Sequence, residues 1–220
     1  RVRKDQPDVY PLFHTDACQA PRFLSLKVDT LGVDLMTLNG SKMYGPKGSG
    51  VLYAAARAAL FPLFYGGGQE GGLRAGTANV AGAIGFAAAL RLCEEKRAVE
   101  AARLASLRDY FLAEAKKIIP GLIIHGSEIN RLPNNINITI PGVEAEWAVI
   151  QFDARGIACS TGSACSVRSA ADHHILTALY GAAAPTEGAV RFTLGREAKK
   201  KDMDKLLAAT AAIFRMCYIL

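Results

Sequence analysis

The sequence predicts an α/β chain in two parts: a strand-rich α/β portion, then a smaller α+β portion reached through a long helix. Three observations predict it. Short apolar runs separated by Gly/Pro turns crowd the first 54 residues. A long stretch from Thr77 to about Ile119 keeps apolar residues at three-to-four spacing and stops at Pro120-Gly121. Beyond it, short alternating runs intermingle with short helical patterns. We place the boundary near Cys93, giving portions 1–92 and 93–220.

The elements follow in order. Val9–Thr15 is short and apolar and reads as a buried parallel strand. Leu35–Leu38 reads as a second strand, and Gly50–Ala54 as a third behind a Gly-Pro-Lys-Gly turn. Tyr65–Gly76 is a glycine-rich loop. The helical stretch after Thr77 is expected to be two helices bent near Glu94–Lys96. Leu122–His125 and Asn135–Ile140 read as antiparallel strands. Glu144–Ala154 reads as a helix, with acidic residues at its positive end. Gly156–Cys159 is expected to be a short strand, Ala171–Tyr180 a helix capped by Gly181, Ala189–Leu194 a strand, and Lys201–Tyr218 a closing amphipathic helix.

Composition narrows the function classes. Half of the 220 residues are hydrophobic and about a fifth are charged, enough for a folded core. No apolar run approaches the ~20 residues of a membrane span. The five cysteines are odd in number and form no CxxC pair, so neither a disulfide framework nor a cysteine-rich metal site is expected; a reducing cytoplasm fits. The net charge is +6, but basic residues are scattered apart from Arg1–Lys4 and Lys199–Lys201, with no aromatic interleaving that would suit nucleic acid. The first residue is Arg, close to a predicted buried strand, so a C-terminal portion of a longer protein is expected.

The chemistry concentrates in a few blocks. Asp16 ends the first predicted strand, and Lys42 follows the second, ahead of a glycine-rich turn. Open α/β sheets bind ligands beyond the carboxyl ends of their strands. An amine and a carboxylate there suit a pyridine cofactor with an aldehyde: the amine forms a Schiff base and the carboxylate favours a protonated ring nitrogen. Far downstream, Ser160-Thr161-Gly162-Ser163-Ala164-Cys165-Ser166 sets a cysteine among small polar residues, where a thiol can react. Cys18, Cys93 and Cys217 read as packing residues, and Cys159 as a strand residue.

The blocks HTDACQA, LMTLNGSKMYGPKGSGVLY, GGGQEGGLRAGTANV, STGSACS and VRFTLGR together resemble the NifS/IscS-type cysteine desulfurases, class V aminotransferase-like enzymes of the pyridoxal phosphate (PLP) dependent transferase fold type I. The resemblance runs nearly end to end here but covers only the later part of the family's length. It implies the C-terminal part of the large domain plus the small domain, and PLP as cofactor. It implies that Lys42 carries the Schiff base, Asp16 pairs with the ring nitrogen, Gln19 bonds the phenolic oxygen and His14 lies beside them. It implies phosphate contacts from Asn39, Ser41 and, toward a partner subunit, Thr77, hence a homodimer. Arg191 would clamp the carboxylate of L-cysteine, with Asn135 nearby, and Cys165 would take the sulfur as a persulfide.

A sulfur-acceptor protein would then serve iron–sulfur cluster assembly or tRNA thiolation; no metal, membrane or direct nucleic-acid partner is implied. The family usually has histidine before the lysine and serine two positions earlier, where this chain has Ser41 and Asn39, and tends to carry arginine where this chain has Gly71. Arg74 fits a phosphate-facing loop and a structural anchor equally. The rival readings are another class V PLP enzyme, such as a selenocysteine lyase or aminotransferase, and a catalytically incomplete piece acting as a dimer partner.

Overall fold

The computed structural model describes residues 11–161 and 174–218. The chain forms two compact units, Arg1–Val99 and Glu100–Leu220.

The first unit is built on a three-stranded sheet. Strand β1 (His14–Asp16) lies parallel to β2 (Leu35–Asn39), and β3 (Gly50–Ala54) runs antiparallel to β2 on its other side. A single helical turn, α1 (Val28–Leu31), lies on the connection from β1 to β2 and ends at Gly32, whose φ of 64° is left-handed. Of the strand expected over Val9–Thr15, residues 9 and 10 lie outside the described residues, and from Pro11 on the ladder begins later than expected. Pro11 has no amide to offer a ladder, and the Phe13 amide donates to the Asp34 carboxylate at 2.7 Å. Pairing therefore starts at His14. Arg57 completes the Asp34 cluster, its Nε donating at 2.7 Å.

Side chains alternate along β2. Met36 and Leu38 join a core of Ala17, Val33, Met43, Phe86 and Ala89. Leu35, Thr37 and Asn39 lie on the opposite face and are half-buried. After β2 the chain makes a tight turn of 3₁₀ helix, Gly40–Met43, capped by the Asn39 side chain and closed by Tyr44 at φ 61°. Gly40 is required there, because a Cβ would run into Ser49 Oγ and Phe86.

Helix α2 (Val80–Ile118) is one uninterrupted helix of 39 residues, not two. The expected bend at Glu94–Lys96 does not occur, since that stretch holds no Pro or Gly. Arg97 pairs with Glu94, and Arg103 reaches Glu100 at 3.0 Å, both at helical i,i+3 spacing. The helix also starts later than Thr77. Asn79 is the capping residue, its Oδ1 accepting from the Gly82 amide at 2.9 Å.

The second unit holds a four-stranded antiparallel sheet in the order β4 (Ile123–Ile124), β5 (Asn135–Thr139), β7 (Val190–Thr193), β6 (Ser160–Thr161). Between β5 and β6 lies α3 (Ala145–Asp153). Its Glu144 cap accepts from the Glu146 and Trp147 amides at 2.8 Å each. The expected strand Gly156–Cys159 is not a strand. The Ile157 amide turns back to Phe152 O at the end of α3, so the ladder waits until Ser160. Helices α4 (His174–Tyr180) and α5 (Lys200–Tyr218) complete the unit.

Its core joins Leu104, Phe111, Ile119, Ile136, Ile138, Phe152, Phe192 and Ile213. Phe192 stands edge-on to Phe152, with ring centres 5.0 Å apart. Among the described residues no helix is long and apolar enough to cross a membrane.

Candidate active site

The period of two along β1 puts His14 and Asp16 on one face. Their partners in register are Leu35 and Thr37, so this face continues through Thr37 to Asn39. His14 Nε2 hydrogen-bonds Thr37 Oγ1 at 2.8 Å, which fixes the imidazole over the neighbouring strand.

Asp16 is exposed at the end of β1, and the chain turns back on it. The Cys18 amide donates to Asp16 Oδ1 at 2.9 Å. The Cys18 thiol adds the strongest pull on the carboxyl, the amide the next, and His14 a smaller one; together they hold it below the usual carboxylate range. The thiol responds in reverse: burial first, then Asp16, push it up to about 11, while the nearby Lys42 charge pulls the other way. The pair thus keeps an ionised acid beside a protonated thiol.

Lys42 sits exposed in the 3₁₀ turn that follows β2. Asp16 and Lys42 therefore end two adjacent parallel strands on the same sheet edge. Gln19 is exposed in the turn after β1. Asn39 Oδ1 receives both the amide and the hydroxyl of Ser41, each at 2.9 Å. The Ser41 hydroxyl hydrogen is thereby engaged, and it must change partners to donate to an anion.

The glycine-rich block closes on itself. Gln69 Oε1 accepts from the Gly76 amide at 3.2 Å, and Arg74 lies over the Phe64 ring at 5.0 Å while bonding Ala75 O. Those contacts are the anchoring kind. Thr77 follows Gly76, whose φ of 110° only glycine adopts easily, and precedes α2.

In the second unit, Arg191 lies at the centre of the sheet row formed by β5, β7 and β6. Its cross-strand partners are Asn137 and Ser160. Asn135 faces Thr193 instead, and its side-chain oxygen takes a long bond, 3.4 Å, from Arg131. Cys165 lies outside the described residues, as do the other motif residues after Thr161. The Cys159 thiol is pushed up to about 11, chiefly by burial and then by Asp153.

Three residues of this arrangement escape a reading by motif. Thr37 and Asn137 are visible only through register, one beside His14 and one beside Arg191. Cys18 had a local signal, Asp-x-Cys at a strand end, which is an Asx-turn spacing. The residues present suit a protonated heteroaromatic nitrogen at Asp16, whose carboxylate stays ionised, and a carbonyl carbon at Lys42.

Residues 7–206 match the aminotransferase class-V family. The cysteine desulfurase IscS of Dictyoglomus turgidum is 44% identical over 200 residues, covering 91% of this chain and 50% of that protein. The cysteine desulfurase IscS of Clostridium botulinum is 35% identical over 205 residues, covering 92% of this chain and 52% of that protein. Among solved structures, a NifS-like protein superimposes with a TM-score of 0.84 at 28% identity, over 98% of this chain and 55% of that one. The NifS-like protein of Rickettsia africae gives 0.82 at 28% identity, over 93% and 54%. The chain spans about half the length of the curated relatives it matches.

Proposed function

This chain belongs to the aminotransferase class-V family, and from that premise we propose that it carries the lysine, carboxylate and sulfur-accepting parts of a PLP-dependent cysteine desulfurase. The observation that carries this reading is the ionised Asp16 at one strand end beside Lys42 at the next. PLP, when bound, supplies an electron sink for charge developing at the substrate's α-carbon.

The residues divide the work. Asp16, through its ionised carboxylate, would hold a proton on the cofactor's ring nitrogen. Gln19 would bond the cofactor's phenolic oxygen, and His14, steadied by Thr37, would line the same face. Asn39 and Ser41 would hold the cofactor phosphate on one side, and Thr77 would reach the phosphate of a partner subunit in a homodimer. Lys42 Nζ would be the amine that holds the cofactor's aldehyde carbon, and as a free amine it would move the substrate's α-proton. Arg191 binds the carboxylate of L-cysteine through two parallel N–H bonds, with Asn135 at the margin.

The Cys165 thiolate attacks the substrate sulfur. The new bond would join Cys165 to that sulfur, the carbon–sulfur bond would break with its electron pair left on the substrate's β-carbon, and that carbon would take a proton. The products are alanine and a Cys165 persulfide, which an acceptor protein collects in the cytoplasm for iron–sulfur assembly or tRNA thiolation. Residues 1–92 form the cofactor-binding portion in this reading, and 93–220 the substrate and sulfur portion.

The intact protein, supplied with PLP and L-cysteine, is expected to release equal amounts of alanine and, with a thiol reductant, sulfide. Cys165→Ala is expected to abolish sulfide release, and Lys42→Ala to abolish the borohydride-trapped pyridoxal adduct on the Lys42 peptide. A Cys165→Ala protein that keeps full turnover on an amino acid would instead assign an aminotransferase or lyase. Absence of a trapped adduct on Lys42 in the wild type would overturn the reading.

A further inference from the structure

Two polar groups without partners stand side by side in the second unit. Asn137 Oδ1 is buried and receives no hydrogen bond among the described residues. Arg191, its cross-strand neighbour, is half-buried, and its guanidinium makes no hydrogen bond or ion pair among the described residues. Ser160 faces Arg191 from the other flank. One row across β5, β7 and β6 therefore reads amide, guanidinium, hydroxyl. Directly opposed side chains on one sheet face have Cβ atoms ~4.5–5.5 Å apart. The structure makes no bond between the two, and a guanidinium with five donors in a rigid fork spans that range once it turns. A buried acceptor left unmet is costly, and native structures rarely keep one.

We propose that Asn137 is a positioning residue for Arg191: its Oδ1 accepts one guanidinium N–H and turns the fork so that two remaining donors meet the substrate carboxylate. The inference rests on the reading of Arg191 as the carboxylate-binding group and extends it to the residue that aims it. The amide's chemistry suits the task. It accepts a hydrogen bond yet carries no charge, so Arg191 stays cationic and open to an incoming anion. An aspartate there would take the fork bidentately and compete with substrate. Asn135, two residues earlier on the same face, faces Thr193 and cannot do this from its register.

The test uses the intact PLP-loaded enzyme, with KM and kcat for L-cysteine and a titration with the product L-alanine, which presents the same carboxylate but no sulfur to transfer. Arg191→Lys establishes the premise and is expected to raise KM. Asn137→Leu is expected to raise KM and weaken L-alanine binding by roughly tenfold each, with kcat nearly unchanged. Asn137→Asp is expected to raise KM further. Asn137→Ser serves if the leucine variant fails to fold, and is expected to lose affinity in the same way.

If Arg191→Lys raises KM while the Leu and Ser variants keep wild-type KM and only melt earlier, Asn137 is structural and the proposal is overturned. If Arg191→Lys itself leaves KM and L-alanine binding unchanged, the carboxylate reading of Arg191 fails and this inference fails with it.

Discussion

Cys18 offers a direct test of the electrostatics at the sheet edge. Its thiol is pushed up to about 11 from an ordinary 9.0, by burial and then by the Asp16 carboxylate. At pH 8 a thiol titrating near 11 is only roughly 0.1% thiolate, whereas one near 9 is roughly 9% thiolate. Asp16→Asn keeps the shape and removes the negative charge. Burial stays, so part of the elevation stays with it. The whole elevation corresponds to roughly a ninetyfold difference in thiolate at pH 8, so the alkylation rate is expected to rise severalfold while staying well short of that bound.

The opposite change at Lys42 has the opposite sign. Its cation favours the thiolate, so Lys42→Ala is expected to slow alkylation. The assay is iodoacetamide labelling of the cofactor-free protein at pH 8, read peptide by peptide in a mass spectrometer, with Cys159 as an internal reference. Equal Cys18 rates in wild type and Asp16→Asn would refute the influence of the carboxylate on the thiol. A faster rate in Lys42→Ala would refute the claim that its ammonium bears on this edge.

Two further outcomes are expected. His125 is 2% exposed, with Nδ1 against the Tyr180 hydroxyl at 3.1 Å and Nε2 against Thr139 Oγ1 at 2.8 Å. Burial, then Arg131, holds its pKa below the ordinary 6.5, so the unfolded chain binds more protons just under that pH. Stability is therefore full above pH 6.5 and declines as pH falls below it. Thermal melting from pH 8 to 5 is expected to show that decline in the wild type and a shallower one in His125→Phe; identical slopes would contradict it. Phe192→Ala removes a ring 3% exposed that meets Phe152 and Phe111, and is expected to destabilise by about 3–5 kcal/mol in denaturant unfolding.

Much of this architecture was legible locally. Asp16 and Lys42 were readable as the ends of neighbouring strands because strand ends announce themselves through turn residues, here the Gly-Ser-Lys-Met turn and the Gly-Pro-Lys-Gly run. Glu144 at the head of α3 was legible from charge alone, though as a dipole partner rather than as the cap it is. The failures have local causes of another kind. The amides of Ile157 and Phe13 are taken by Phe152 O and by the Asp34 carboxylate, so neither joins the ladder expected of it. Thr77 and Asn79 are both good caps by residue type, and only backbone geometry selects Asn79.

By itself, then, the amino-acid order determined which residues alternate on a strand, where the chain turns, and which family the chain resembles. Only the tertiary structure decided which strand residue meets which. It put Thr37 against His14, and Asn137 rather than Asn135 opposite Arg191. The physical reason is register: with a side-chain period of two, sliding one strand by a residue exchanges every facing partner. That choice is made by the whole sheet packing its apolar face, here Ile136, Ile138, Val190 and Phe192, and not by any short stretch of sequence.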